Sequence, residues 1–266
     1  MKARMPQLDF SESLPAWSPN REFAHMFNAF SVIIMQLEPY LNKTAARVRG
    51  QLPHGDPLRD DLTIFIRQEA THTLIHRQYN EALYRAGYTG LKTIEQDMAD
   101  EYQRFLDTKP LLWNIGYAQG FEIVGPIYAE FIFEKIDDLL EGADQKVADM
   151  WRWHLAEEYE HRMVAHEAYH RVGGNYFHRL WVTWKTLQHL GRFNARAEKL
   201  MLDIDAQTMT PQERKASRIR TRKVHRRLSL FLLRKVLPVL MPWYTPARWR
   251  APDGAQHFLD MTAAAE

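Results

Sequence analysis

Apolar residues recur at every third or fourth position over most of the chain, the period of helices that bury one face. Breakers are sparse, with 12 Gly and 13 Pro in 266 residues. No turn signal stands between two alternating apolar runs, so no hairpin is expected and the pattern predicts an all-α fold. The few breakers punctuate long helices. Ser18-Pro19 reads as an N-cap with Pro at the first helical position, opening a helix to about Gly50 with a kink at Pro39. Asp56-Pro57 opens a second helix, which Gly87 closes. Thr89 to Asp107 predicts a helix that crosses between layers, and Pro110 starts one that ends at Gly142. Asp144 to Arg171 follows, closed by Gly173-Gly174, and then Tyr176 to about Asp203. Thr210-Pro211-Gln212-Glu213 has the form of a capping box and starts a last long helix. One helical domain over residues 1–266 is expected, with a core bundle at about 18–174 and a C-terminal helical extension at about 175–250.

Composition narrows the chemistry. Hydrophobic residues at 45% and charged residues at 26% describe a globular chain with a sizeable core. Cys is absent, which excludes disulfides, a thiol nucleophile, iron–sulfur clusters and thiolate zinc sites. Any metal must then be held by His, carboxylate or carbonyl oxygen. Residues 1–20 carry no apolar run of signal-peptide length, and no stretch approaches the ~20 apolar residues of a membrane span. A cytoplasmic place is therefore expected.

Two segments carry candidate chemistry. Glu69 and His72 are spaced i, i+3 inside the second predicted helix and project from one face. Glu158 and His161 repeat that spacing in the Asp144–Arg171 helix, and His154 falls with them inside a ~60° sector. Two Glu-x-x-His helices in one all-α chain point to a ferritin-like bundle with a dimetal carboxylate site, which needs one further inward Glu from each of two other helices. Glu38 is the one charge in the apolar stretch from Ser31 to Leu41. Glu122 lies beside the small residues Ala118, Gly125 and Ala129, and Glu130 is ~80° further round the helix. The expected ligands are Glu38, Glu69, His72, Glu122, Glu158 and His161, with His154 as an additional nitrogen on the metal held by Glu158 and His161. His76 shares a face with His72, one turn on, as a ligand, an acid/base group near bound oxygen, or a core His. Glu22-x-x-His25 has the same spacing among polar neighbours and reads as a surface pair, and His166 and His170 lie off the ligand sector.

The pattern His154-x-x-x-Glu158-x-x-His161, preceded by a Glu-x-x-His helix, resembles the di-iron p-aminobenzoate N-oxygenases. Gln68-Glu69-x-x-His72-x-x-x-His76-x-x-x-Asn80 and Trp153-His154-x-x-Glu157-Glu158-x-Glu160-His161 look like the bacterial family described as predicted metal-dependent hydrolases, over roughly residues 15–250. Where that family reads Phe-Pro-x-Gly-Glu, this chain has Ile34-Met35-Gln36-Leu37-Glu38. The ligand set and these resemblances imply two iron ions (or Fe with Mn), O2 as co-substrate, and oxidation of a small organic or lipid-like substrate. With no flavin or nicotinamide fingerprint, the electrons would come from an external donor. The alternative is a metal-dependent hydrolase that uses a metal-bound hydroxide; a storage or sensing bundle is disfavoured by the long extension after Gly174. A homo-oligomer is compatible with either.

Charge adds the last feature. Residues 1–170 hold 17 Lys+Arg against 26 Asp+Glu, whereas residues 171–266 hold 18 against 7, so the net +2 hides an acidic body and a basic tail. The run Lys215, Arg218, Arg220, Arg222, Lys223, Arg226 and Arg227 precedes an apolar stretch that ends in Trp243-Tyr244. That is the composition of an interfacial anchor at the inner membrane face, or of a helix whose basic side balances the acidic body. Nucleic acid is not expected, because no nucleic-acid-binding fold accompanies the charge.

Overall fold

The computed structural model describes residues 1–261. All regular elements among them are helical: α1 Arg21–Gln51, α2 Pro57–Arg85, α3 Leu91–Thr108, α4 Leu111–Glu122, α5 Gly125–Glu134, α6 Asp137–Leu140, α7 Gln145–Glu160, α8 Val164–Arg171, α9 Tyr176–Ala206, α10 Pro211–Val239 and α11 Ala255–Met261. The all-α bundle expected from the periodicity is the observed fold. α1 and α2 form the most extensive helix pair, and α1 also packs on α3, α4, α9 and α10. α4 lies against α8 and α9, α5 against α7, and α11 covers α7. One continuous core runs through these helices, built on large buried rings such as Phe27, Trp151, Trp153, Tyr79 and Tyr117.

The helix ends follow local chemistry. Asp56 caps α2 by accepting from the Leu58 amide, with Pro57 at the first position. Thr210 and Glu213 form the reciprocal capping box at α10 as expected. α1 starts later than predicted: Asn20 is the N-cap and accepts from the Phe23 amide, while Ser18 Oγ accepts from the Asn20 amide and donates to the Leu139 carbonyl. α1 continues through Pro39.

Two expected helices are broken, and both breaks fall at the centre of the bundle. The Pro110–Gly142 helix is three pieces, parted first after Glu122, where Pro126 has no amide to donate to the Glu122 carbonyl. The Asp144–Arg171 helix parts after Glu160, and His161 becomes the C-cap of α7. No Gly or Pro marks that second break.

Gly125 shows how tightly α5 meets α7: a Cβ there would lie 2.4 Å from Glu158 Oε2 and 3.0 Å from Glu158 Cβ. Gly125→Ala is expected to displace the Glu158 side chain and to cost about 1–3 kcal/mol of stability, the range for overpacking a filled interior. Denaturant unfolding of the variant checks this; an unchanged midpoint would mean that α5 and α7 yield at no cost.

Candidate metal centre

The centre is assembled from four segments of the bundle. α1 contributes Glu38, α2 contributes Glu69 and His72, the end of α4 contributes Glu122, and α7 with its cap contributes His154, Glu158 and His161. These side chains are 0–2% exposed. Their donor atoms fall into two groups, Glu38, His72, His154 and Glu158 in one, and Glu69, Glu122 and His161 in the other, each with atoms within 4.8 Å of one another.

The groups are joined by carboxylates. Glu158 Oε1 lies 3.3 Å from His154 Nε2 and 3.9 Å from His72 Nδ1, while Glu158 Oε2 lies 3.5 Å from His161 Nε2. Glu69 Oε1 is 3.3 Å from His161 Nε2 and 3.8 Å from His72 Nδ1. Glu122 Oε2 is 3.2 Å from His161 Nε2, and Glu38 Oε1 is 3.7 Å from His72 Nδ1. Donors that share one cation at ~2.1 Å bonds stand ~3.0–3.4 Å apart, close to this spacing. His154 therefore joins His72, rather than His161 as the sequence spacing suggested, and shares only Glu158 with the His161 group. One group is nitrogen-rich and the other oxygen-rich.

A ring of hydrogen bonds aims each imidazole inward. His72 Nε2–H donates to Glu157 Oε2 (3.0 Å), which turns His72 Nδ1 to the carboxylates. Gln68 Nε2 donates to Lys2 O and Glu160 Oε2, so Gln68 Oε1 accepts from His161 Nδ1–H (3.2 Å) and leaves His161 Nε2 as the inward atom. Ser31 Oγ donates to Asn80 Oδ1 and accepts from His76 Nδ1–H (2.8 Å); His76 Nε2 then accepts from His154 Nδ1–H (3.2 Å). That relay leaves the lone pair of His154 Nε2 facing Glu158. Both His76 nitrogens are occupied, and His76 lies outside the two donor groups. Arg4 spans Glu157 and Glu160 at 2.9 Å each and ties the N-terminal segment to this ring.

The inward atoms lack partners. Glu38 Oε1, both oxygens of Glu69, Glu122 and Glu158, His72 Nδ1, His154 Nε2 and His161 Nε2 are buried without a hydrogen bond. Burial of such groups costs several kcal/mol each unless something pairs them. Burial and the neighbouring carboxylates push Glu38 and Glu69 well above the usual range, and burial with Glu158 brings Glu122 up to about 7. His161 keeps its proton, against the pull of burial, because Glu122 and Glu158 face it. Glu158 is held low, against its own burial, by His161 and His154. A cation in each group would satisfy all these atoms at once, and Glu with His is a donor set for a divalent metal such as Fe, Mn or Zn.

The other sequence candidates lie elsewhere. Glu22 and His25 are buried and are not a surface pair: Glu22 pairs with Arg220 and His25 with Asp205. Glu130 pairs with Lys235, and His166 is hydrogen-bonded to Gln119 and packed on His170. The sequence spacing assigns no role to Arg4 or Ser31, and Gln68 and Glu157 stand in it only as residues of the family motifs. A signal existed for part of this: Gln68, His72, His76 and Asn80 stand one helical turn apart on a single face of α2.

The family described as predicted metal-dependent hydrolases matches residues 2–249. The chain belongs to this family. No curated protein and no solved structure gives a match. Membership in a metal-dependent family and a buried cluster of unpaired carboxylates and imidazoles lead independently to a metal site.

Chelated protein is expected to lose stability as the pH rises from about 4.5 through 7. Glu38, Glu69 and Glu122 have raised pKa values, Glu122 at about 7, so the folded chain keeps stabilising protons that the unfolded chain sheds from the ordinary value of 4.5 upward, and His161, also raised, extends the loss above its ordinary value of 6.5. Metal should reverse the trend, since deprotonated ligands bind better. At ~100 times the dissociation constant it adds ~2.7 kcal/mol, or ~5–10 °C of Tm in a chain this long. Melts of chelated and metal-loaded protein at both ends of the span check this; a metal shift that shrinks with rising pH would contradict it. His161→Ala is expected to bind about half the metal of the parent, by elemental analysis, because it removes the one nitrogen of its group; full metal content would remove His161 from the ligand set.

Proposed function

We propose that the centre holds two iron ions and that the protein is an oxidoreductase that uses O2 to oxidise an organic substrate, with electrons from a separate donor protein. What carries this reading is the pair of buried donor groups joined by Glu69 and Glu158, the arrangement of ferritin-like dinuclear carboxylate sites. Bound there, two redox-active cations supply the electrons and the Lewis acidity for reaction with O2.

The chain's own part is orientation and exclusion of water. Glu157, Gln68 and His76 fix the ring planes of His72, His161 and His154, which keeps the nitrogen donors from turning when charge at the centre changes. Trp153 packs edge-on to His72 at 4.9 Å and Phe65 edge-on to His161 at 4.9 Å. Trp151 lies 4.8 Å from the His76 ring. Such walls admit small apolar O2 more readily than a polar ester or phosphate.

The family's description supports a second reading, hydrolysis by metal-activated water. Full burial of the donors weighs against it, because a scissile carbonyl has to reach the cation.

Iron-loaded, reduced protein is expected to consume O2 with a change in visible absorbance, and zinc-loaded protein to leave activated esters intact without O2. Ester cleavage by the anaerobic zinc form, together with no O2 uptake by the iron form, would decide for the hydrolase. His154→Ala is expected to keep most of the metal yet slow O2 uptake by ~10-fold or more, the usual scale for disturbing a metal's nitrogen environment.

A further inference from the structure

α10 has two different sides. Toward the body, Arg220 pairs with Glu22, Arg227 with Asp138 at 2.8 Å, and Lys235 with Glu130 at 2.6 Å. Away from the body, Lys223, Arg226, Leu230, Leu233, Leu237 and Leu240 alternate in steps of three and four and form one stripe. Leu230, Leu233 and Leu237 are 51%, 65% and 56% exposed, and Trp243 beyond them is 64% exposed. Arg218, Arg222, Lys223, Arg226 and Arg234 have no carboxylate partner among the described residues. The start of α9 lies beside the end of α10, where Tyr176 OH donates to Leu240 O and Arg179 to Val239 O. The exposed rings of Phe177, Trp181 and Trp184 on α9 therefore stand at the same end of the hairpin as the leucines.

A cavity of about 270 Å³ lies behind this hairpin, between α9 and α10 and over α1 and α5. Its lining is mostly apolar, with Met26, Phe30, Tyr128, Leu190, Leu228 and Leu232 among the walls. Leu187 and Gly191 are exposed on its α9 side. Glycine weakens a helix interior, yet nothing lies within 4 Å of where a Gly191 Cβ would be, so no packed neighbour requires it. On the inner side, Phe30 stacks on Tyr128 and on Trp151, and Trp151 touches the ring of His76, which holds His154. Phe30, Trp151 and the His76 ring thus stand in series between the cavity and His154.

We propose that the α9–α10 face docks on an anionic membrane surface and that the cavity behind it takes the aliphatic chain of a lipid from that surface. Charge chooses this occupant over a second copy of the chain, because two such stripes face to face would bring unpaired arginines together, whereas anionic headgroups offset them. Leucine and tryptophan beside unpaired arginine and lysine is the composition of a helix lying in the interface, and no described helix is long and apolar enough to cross a membrane. As a substrate route the cavity rests on the reading of the centre as an enzyme. Docking and chain binding do not, and are measured without turnover.

The test uses full-length, metal-loaded protein and vesicles of phosphatidylglycerol with phosphatidylcholine, or of phosphatidylcholine alone. Co-sedimentation is expected with the anionic vesicles only, and about 0.5 M salt should weaken it. Arg222→Glu with Arg226→Glu should reduce partition by ~30-fold or more. Leu233→Ser with Leu237→Ser should reduce it by ~10-fold or more, with melts unchanged because both leucines are exposed. Gly191→Phe, or the milder Gly191→Leu, should keep vesicle binding and lose binding of a fluorescent fatty acid. Binding to neither vesicle, equal binding to both, or a charge-reversed variant that binds like the parent would overturn the docking. A dimer that the serine variant dissolves would assign the stripe to a second copy. Fatty-acid binding that survives both Gly191 variants would overturn the cavity assignment. Metal content measured on every sample should match the parent, so a failed docking leaves the metal reading standing.

Discussion

Four carboxylates and three imidazoles meet in the dry middle of this bundle, and their charge has to be offset inside an interior that gives almost no solvation. Protons do part of this where Glu38, Glu69 and Glu122 titrate high and His161 keeps its charge. Cations do it more completely, because one positive centre satisfies several inward lone pairs at once. The surrounding ring follows from the same constraint. Glu157, Gln68 and the Ser31–His76 relay each occupy the outer nitrogen of an imidazole, so the unpaired nitrogen faces the carboxylates. Arg4 offsets the outer carboxylates, Glu157 and Glu160, so the negative charge of the second ring is not added to the first.

Backbone geometry bends to the same demand. Glu122 ends α4 and His161 caps α7, and the two face each other at 3.2 Å. Interrupting the helices there lets both side chains reach one point, and the missing Cβ of Gly125 lets α5 approach Glu158. The apolar surroundings, with Trp151, Trp153 and Phe65 against the imidazoles, keep the centre in a low dielectric where each charge matters more. Of these, Trp151 also stands between the centre and the cavity under α9 and α10, stacked on Phe30 of the cavity wall.

The basic side chains of the tail divide between two surroundings. Arg220, Arg227 and Lys235 bind the acidic body, with Arg220 against the otherwise buried Glu22. The outward stripe of the same helix is left with leucines and unpaired arginines. A helix three to four residues per turn can serve both sides only if its basic residues are spread around it, as they are in α10.

Much of this was legible in the linear chain. Periodicity without strand signals determines an all-helical fold, the Thr210–Glu213 box determines where α10 begins, and two Glu-x-x-His spacings with isolated inward Glu38 and Glu122 mark out the seven donors that the bundle brings together. These are short-range properties, set by ~3.6 residues per turn. Tertiary structure alone decided the rest. The break at His161 carries no Gly or Pro and falls where the His161 side chain meets Glu122 at the end of α4. The pairing of His154 with His72 depends on how α2 and α7 are set against each other, a relation that spacing within one helix does not contain. Arg4 reaches Glu157 across 153 positions, and His76 acts on His154 across 78. The cavity behind α9 and α10 exists only because two helices far along the chain close over α1, so its apolar walls are scattered single residues in the sequence and become one surface only when packed.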